Sequence, residues 1–90
     1  MFIWDEKKNA ANKAKHGIEF DSVYEFSWKN AAFLPDNRKD YGEERQRGLG
    51  LIDGRLHVVV YVVRNEDIRI ISLRRANKRE ERLYETLKKL

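Results

Sequence analysis

Ninety residues are enough for one domain and too few for two, so a single unit over residues 1–90 is expected, with a thin core and little room for a deep pocket. Charged residues make up 38% of the chain and hydrophobic residues 41%, a balance that excludes disorder, and the lack of cysteine excludes disulfide scaffolds and thiolate metal sites. The formal net charge of +4 leaves two readings open, a polyanionic or acidic partner and an ordinary basic surface.

Asp5 is placed to cap a helix that runs to His16, and Gly17 suits the left-handed stop after it. Trp4, Ala11, Ala14 and Ile18 recur at helical spacing and are expected to face the core, with Lys8, Asn12 and Lys15 along a neighbouring stripe. Asp21 or Ser22 is expected to cap a second, short helix that buries Val23 and Phe26. A strand is predicted over 31–34, with Pro35 either ending it or lying at an edge, followed by a polar loop over 36–42. Strands are predicted over 44–52, 55–63 and 68–73, joined by an Asp53-Gly54 hairpin turn and a turn over 65–67. Asn77 and Glu80 form a capping-box pattern that opens a last helix with Leu83, Tyr84, Leu87 and Leu90 on one face. The order reads as α+β: two N-terminal helices, an antiparallel four-stranded meander and a C-terminal helix. No charged-then-apolar leader follows Met1 and no apolar run approaches about 18 residues, so the cytoplasm is the expected location and no membrane contact is expected.

Strict alternation puts Leu56, Val58, Val60 and Val62 on one face of the third long strand, the expected core face, with His57, Val59, Tyr61 and Val63 opposite. The same rule groups Arg69 with Ile71 and Leu73. An unpaired buried guanidinium is costly, so that face is expected to be open or to hold an acid. His57, Tyr61 and Arg69 would then line one side. Arg45 and Arg47 share parity with Leu49 and Leu51, a conflict that a bulge at Gly48 or Gly50 would relieve.

Three blocks of residues resemble the BrnT family, a RelE-like group of ribonuclease toxins from bacterial toxin–antitoxin operons. The first is Trp4-Asp5 with Lys8, Asn12, Lys15-His16-Gly17 and Phe20. The second is Gly42-Glu43-Glu44-Arg45 with Gly50. The third is Ile68-Arg69-Ile70-Ile71-Ser72, then Arg74-Arg75-Ala76, Glu80 and Tyr84-Glu85. The chain departs from the family pattern at Glu6, where proline is usual, at Gln46, where an aromatic is usual, and at Leu73, where a small residue is usual. The last two bear on substrate preference or level of activity. The resemblance implies a RelE-like fold, a metal-independent endoribonuclease that inhibits translation and growth, and neutralisation by a BrnA-like antitoxin. It also implies that operator DNA is met only through the antitoxin.

RNA is cut without metal when its 2′-hydroxyl attacks the adjacent phosphate, which needs a base, cations around the transition state and an acid for the departing 5′-oxygen. Arg69 is the first candidate for a transition-state clamp; its other reading is a structural ion pair with Glu44 or another acid. Arg45 is a candidate second clamp and Glu44 a candidate base, or else a surface carboxylate. His16 and Lys15 are candidates for proton transfer, or for pairing with the helix C-terminal dipole. Arg74, Arg75 and Lys8 are candidates for RNA phosphate contact, the two arginines reading equally well as a solvated approach to the last helix. His57 and Tyr84 read as structural. No zinc-ligand spacing, phosphate loop or serine-hydrolase elbow occurs, so no metal and no cofactor is expected. The competing reading is a non-catalytic RNA- or protein-binding module, a degenerate toxin.

Overall fold

A computed structural model describes residues 1–37 and 42–90. The chain forms β1 (Phe2–Ile3), α1 (Glu6–His16), two 3₁₀ turns (Phe20–Tyr24 and Trp28–Asn30), β2 (Ala32–Pro35), β3 (Gln46–Ile52), β4 (Arg55–Arg64), β5 (Asp67–Arg75) and α2 (Lys78–Lys88). Part of the loop predicted over 36–42 lies outside the described residues.

The α+β class holds, and two parts of the expected arrangement are corrected. There is one N-terminal helix, not two. Residues Phe20–Tyr24 make only a 3₁₀ turn, and its N-cap residue Glu19 supplies no side-chain bond, so neither Asp21 nor Ser22 caps a helix. The sheet has five strands in the order β1-β5-β4-β3-β2 and is mixed, because β1 runs parallel to β5. Two residues carry no readable period. What holds β1 is long-range: Ile68 N–H donates to the Met1 carbonyl (2.9 Å), and the Phe2 ring stacks on Trp28.

Local chemistry sets the other boundaries. The Asp5 carboxylate accepts from Lys7 N–H (2.8 Å) at the start of α1, and Gly17 takes φ 73° at its end. Asp53 (φ 51°) and Gly54 (φ 75°) both occupy the left-handed region that a two-residue hairpin of the I′ type requires. Asn77 and Glu80 exchange both capping-box bonds at the start of α2. The strand predicted from residue 44 begins at Gln46.

The faces of the sheet differ from strict alternation for one reason. The β3–β4 register runs unbroken from Gln46↔Tyr61 to Ile52↔Arg55, so neither Gly48 nor Gly50 bulges. The irregularity is in β5: Val60 pairs with Ser72 and Tyr61 with Ile70, which leaves Ile71 as the extra residue. Ile68, Ile70 and Leu73 therefore share one face, and Arg69, Ser72 and Arg74 share the other.

The principal core lies on the first of these faces, opposite to expectation. Phe20, Val23 and Phe26 pack there on Ile52, Val59, Tyr61, Ile70 and Leu73. The glycines of β3 make this possible, since a Cβ at Gly50 would sit 2.5 Å from the Phe26 ring. His57 and Tyr61 face this core and Arg69 does not, so the three do not line one side. Trp4 and Ile18 pack against the core as expected, whereas Ala11 and Ala14 are exposed and α1 buries Asn12 instead.

The second face is also covered. Leu49, Val58, Val60 and Val62 are all buried. At one end α2 crosses it, tied by Arg74 to Glu80 and by Tyr84 Oη and Lys88 Nζ, which donate to the Asn30 carbonyl (3.2 and 3.1 Å). Leu83, Tyr84 and Leu87 are half-buried, but Leu90 lies beyond α2 and is exposed, so it does not extend the stripe. At the other end the cover is arginine. Long side chains lay their methylene stems over valines while their heads stay near water.

Candidate functional site

Directly opposed residues of antiparallel strands project to the same face, so the register locates each cation. Leu49, Val58 and Arg74 form one row across β3, β4 and β5; Arg47, Val60 and Ser72 form the next; Val62 and Arg69 form the third. Arg45 lies two residues before Arg47, where the Asp36 N–H still bonds its carbonyl (2.8 Å). The charges of Arg45 and Arg69 both act on Glu43, which brings these two arginines into one neighbourhood. Arg45, Arg47, Arg69 and Arg74 are each half-buried.

Among the described residues, Glu43 and Glu80 each offset part of this charge. Glu43 accepts two bonds from Arg64 Nη2 (3.0 and 2.8 Å), and that bond, assisted by the charges of Arg64, Arg45 and Arg69, holds its carboxyl below the usual range. Glu80 takes Arg74 in a bidentate pair, Nη1 to Oε1 and Nη2 to Oε2, both 2.8 Å. The Arg74 bond is the main cause of a lowered Glu80 carboxyl, helped by the Asn77 N–H and by the charges of Arg74 and Arg47, against burial. Among the described residues, no acid pairs with Arg69 and no acceptor reaches Arg47 Nε, which is buried.

Glu80 links the site to stability. Its folded carboxyl titrates below the ordinary value of 4.5, so its contribution is present above that value and is lost as the pH falls through the lowered one. The Glu80→Gln variant is expected to melt below the wild type at pH 7. The gap should close as the pH drops below 4.5 in parallel thermal melts. A gap that stays constant down to strongly acid pH would remove the charged pair as its cause.

A groove of about 220 Å³ opens beside this face, between α1 and the β5 bulge, lined by Lys8, Asn12, Lys15, His16, Ile71 and Ser72. Ser72 belongs to both, since it shares the Arg47 row. Asn12 builds the groove: its Nδ2 donates to the carbonyls of Ile18 (2.9 Å) and Leu73 (2.7 Å), and Leu73 N–H donates to its Oδ1 (3.2 Å). Burial, the neighbouring Lys15 and the Arg74 charge lower the His16 imidazole below 6.5, so it is neutral at pH 7 and able to accept a proton.

The structure thus gathers Arg69, Arg45 and Arg74 on one face and Lys8, Lys15 and His16 in the adjoining groove. It does not bring Arg75 to them, because Arg75 pairs with His57 and projects to the opposite side. Glu44 is exposed just before β3. Sequence reasoning missed Arg47, Ser72 and the Arg74–Glu80 pair. The parity of Arg47 with Arg45 was a signal for the first, and the other two depend on the bulge. His57 is buried with Nδ1 2.7 Å from the Arg55 carbonyl, a structural placement. Among the described residues, no three histidine or acidic side chains gather as metal ligands, and no helix is long and apolar enough to cross a membrane.

A comparison with protein-family models matches residues 4–80 to the ribonuclease toxin BrnT of type II toxin–antitoxin systems. No curated protein matches the chain.

Proposed function

The chain belongs to the BrnT family of ribonuclease toxins of type II toxin–antitoxin systems, and from this we propose that it is an endoribonuclease that cuts RNA on its arginine-lined sheet face without a metal ion. The family implies an RNA target and an antitoxin partner. The observation that carries the finer reading is Arg69: a half-buried arginine in mid-strand, at the arginine-covered end of the face, whose charge acts on Glu43 together with that of Arg45, and with no acid paired to it among the described residues.

In this reading the scissile phosphate lies over the Val60 and Val62 rows, with Arg69 and Arg45 holding its non-bridging oxygens. Those oxygens gain charge in the transition state, and a planar guanidinium meets them bidentately. His16, neutral at pH 7, takes the proton of the 2′-hydroxyl as that oxygen bonds to phosphorus. The bond from phosphorus to the 5′-oxygen breaks, and Lys15, a cation of the same groove, supplies the proton to the leaving oxygen. The products are a 2′,3′-cyclic phosphate and a 5′-hydroxyl. Lys8 holds a flanking phosphate. Arg74 adds its field while its guanidinium stays on Glu80. Glu44 stands at the rim, and Arg75 serves RNA only on the far side. Cleavage of messenger RNA would inhibit translation and growth. A BrnA-like antitoxin would neutralise the toxin and carry the contacts to operator DNA.

Purified chain free of antitoxin is expected to fragment RNA in excess chelator, and its expression is expected to arrest growth. Persistently intact RNA would favour a binding module without catalysis, and cleavage that needs added divalent metal would reject the metal-free route.

A further inference from the structure

We propose that Arg47 is a phosphate anchor, binding the RNA backbone one step away from the scissile position; this rests on the ribonuclease reading above. Arg47 rises from β3 in a row that passes through Leu34, Val60 and Ser72. Arg69 stands two strands over and one row along. With strands about 4.8 Å apart and residues about 3.4 Å apart along a strand, the two backbones are about 12 Å apart. Two arginine side chains reaching from such positions meet neighbouring phosphates of one strand more readily than a single phosphorus.

Two observations separate Arg47 from a purely structural arginine. Its Nε, like that of Arg45, is buried without an acceptor, and its terminal guanidinium nitrogens form no hydrogen bond or ion pair among the described residues, so an acceptor for those nitrogens has to come from outside the fold. Glu80, whose carboxyl feels the Arg47 charge, has both oxygens committed to Arg74 and one also to the Asn77 N–H, so it does not neutralise a second guanidinium. Ser72, at the far end of the same row, leads into the groove of Lys8 and Lys15. A single strand crossing the face therefore meets Arg47, then Arg69, then the groove, with a cation for each successive phosphate. The ligand class is the phosphodiester backbone of single-stranded RNA, bound without regard to base.

The test measures binding of a short single-stranded RNA, 2′-O-methylated throughout so that the attacking hydroxyl is blocked, across a range of salt. In Arg47→Met the stem still covers Val60, so the melting temperature should hold. Affinity at low salt should fall on the order of tenfold, and the slope of log affinity against log salt should shrink by about 0.7, one phosphate contact on a single strand. On cleavable RNA, KM should rise while kcat holds. Arg47→Lys should restore the slope, which a role in packing alone would not require. If Arg47→Met is destabilised, Arg47→Lys against Arg47→Gln makes the same comparison, with the slope kept by Lys and lost by Gln. Affinity and slope equal to wild type in the neutral variants, with cleavage still lost in Arg69→Ala, overturn this inference alone. A wild type that neither binds nor cuts RNA overturns the ribonuclease reading with it.

Discussion

Arg69→Ala should lower RNA cleavage by about 10²–10³-fold and leave the protein folded, as the loss of one aimed transition-state donor does elsewhere. The effect is large because the guanidinium is on the sheet, not on a loop. Arg69 lies within β5, paired to Val62 on one side and beside β1 on the other, so its backbone has little freedom. The stability effect is small by the same geometry. No described residue forms an ion pair with Arg69, so its removal strands no buried partner charge, and only the stem packing over Val62 is lost, about 1 kcal/mol or less. Arg69→Lys should fall between the two, since lysine keeps the charge but not the planar fork. Single-turnover cleavage of a defined RNA, alongside thermal melts, measures both quantities. Wild-type rates in a folded Arg69→Ala protein would remove the clamp.

Asn12→Ala should produce the largest loss of stability among polar substitutions, about 3–5 kcal/mol of the 5–15 expected for a small domain. β1 pairs only with Ile68 and Arg69, so among the described residues no strand lies beside the outer edge of β5 beyond them. At Leu73 both the N–H and the C=O turn outward, and Asn12 satisfies them together while also holding the Ile18 carbonyl. Alanine leaves these backbone groups dry and unpaired, which is the expensive way to lose a hydrogen bond. It also frees α1, whose other side chains are mostly polar and exposed. Urea unfolding of the variant checks the magnitude. A loss below about 1 kcal/mol would mean that water replaces Asn12 and that the groove is not built by it.

These two residues show what was legible in the chain and what was not. Turns and caps were readable because their chemistry is local: Asp5, Gly17, Asp53-Gly54 and the Asn77–Glu80 box all do what their residue types favour. The two-residue β1 was not, because its pairing partner is far along the chain. The grouping of Arg69 with Leu73 on β5 was misread because one extra residue, Ile71, shifts every side chain between it and the turn to the opposite face, and the aliphatic set of β4 reads as the core face because it alone is free of polar groups. The valine-rich β4 could not correct this, since both of its faces are buried. The decisive partners were the aromatics of the 20–28 segment and the glycines of β3 that make room for them. That Arg69 stays out of the core could be expected without knowing the fold, because a buried unpaired guanidinium is costly wherever it lies, although its companions on the face could not. The buried role of Asn12 could not, since its partners are backbone atoms of a distant strand.

The central claim is that cations on this face stabilise attack by the RNA's own 2′-oxygen, and the chemical nature of the cut ends tests it most directly. Mapping the termini of fragments made by the wild-type chain should find 2′,3′-cyclic phosphate, or the 2′- or 3′-phosphate it opens to, on one side and 5′-hydroxyl on the other. A single 2′-deoxy nucleotide at the cleavage position should block the cut there. Fragments with 5′-phosphate and 3′-hydroxyl ends, or cutting that persists at the deoxy position, would mean that water attacks the phosphorus and would contradict the account.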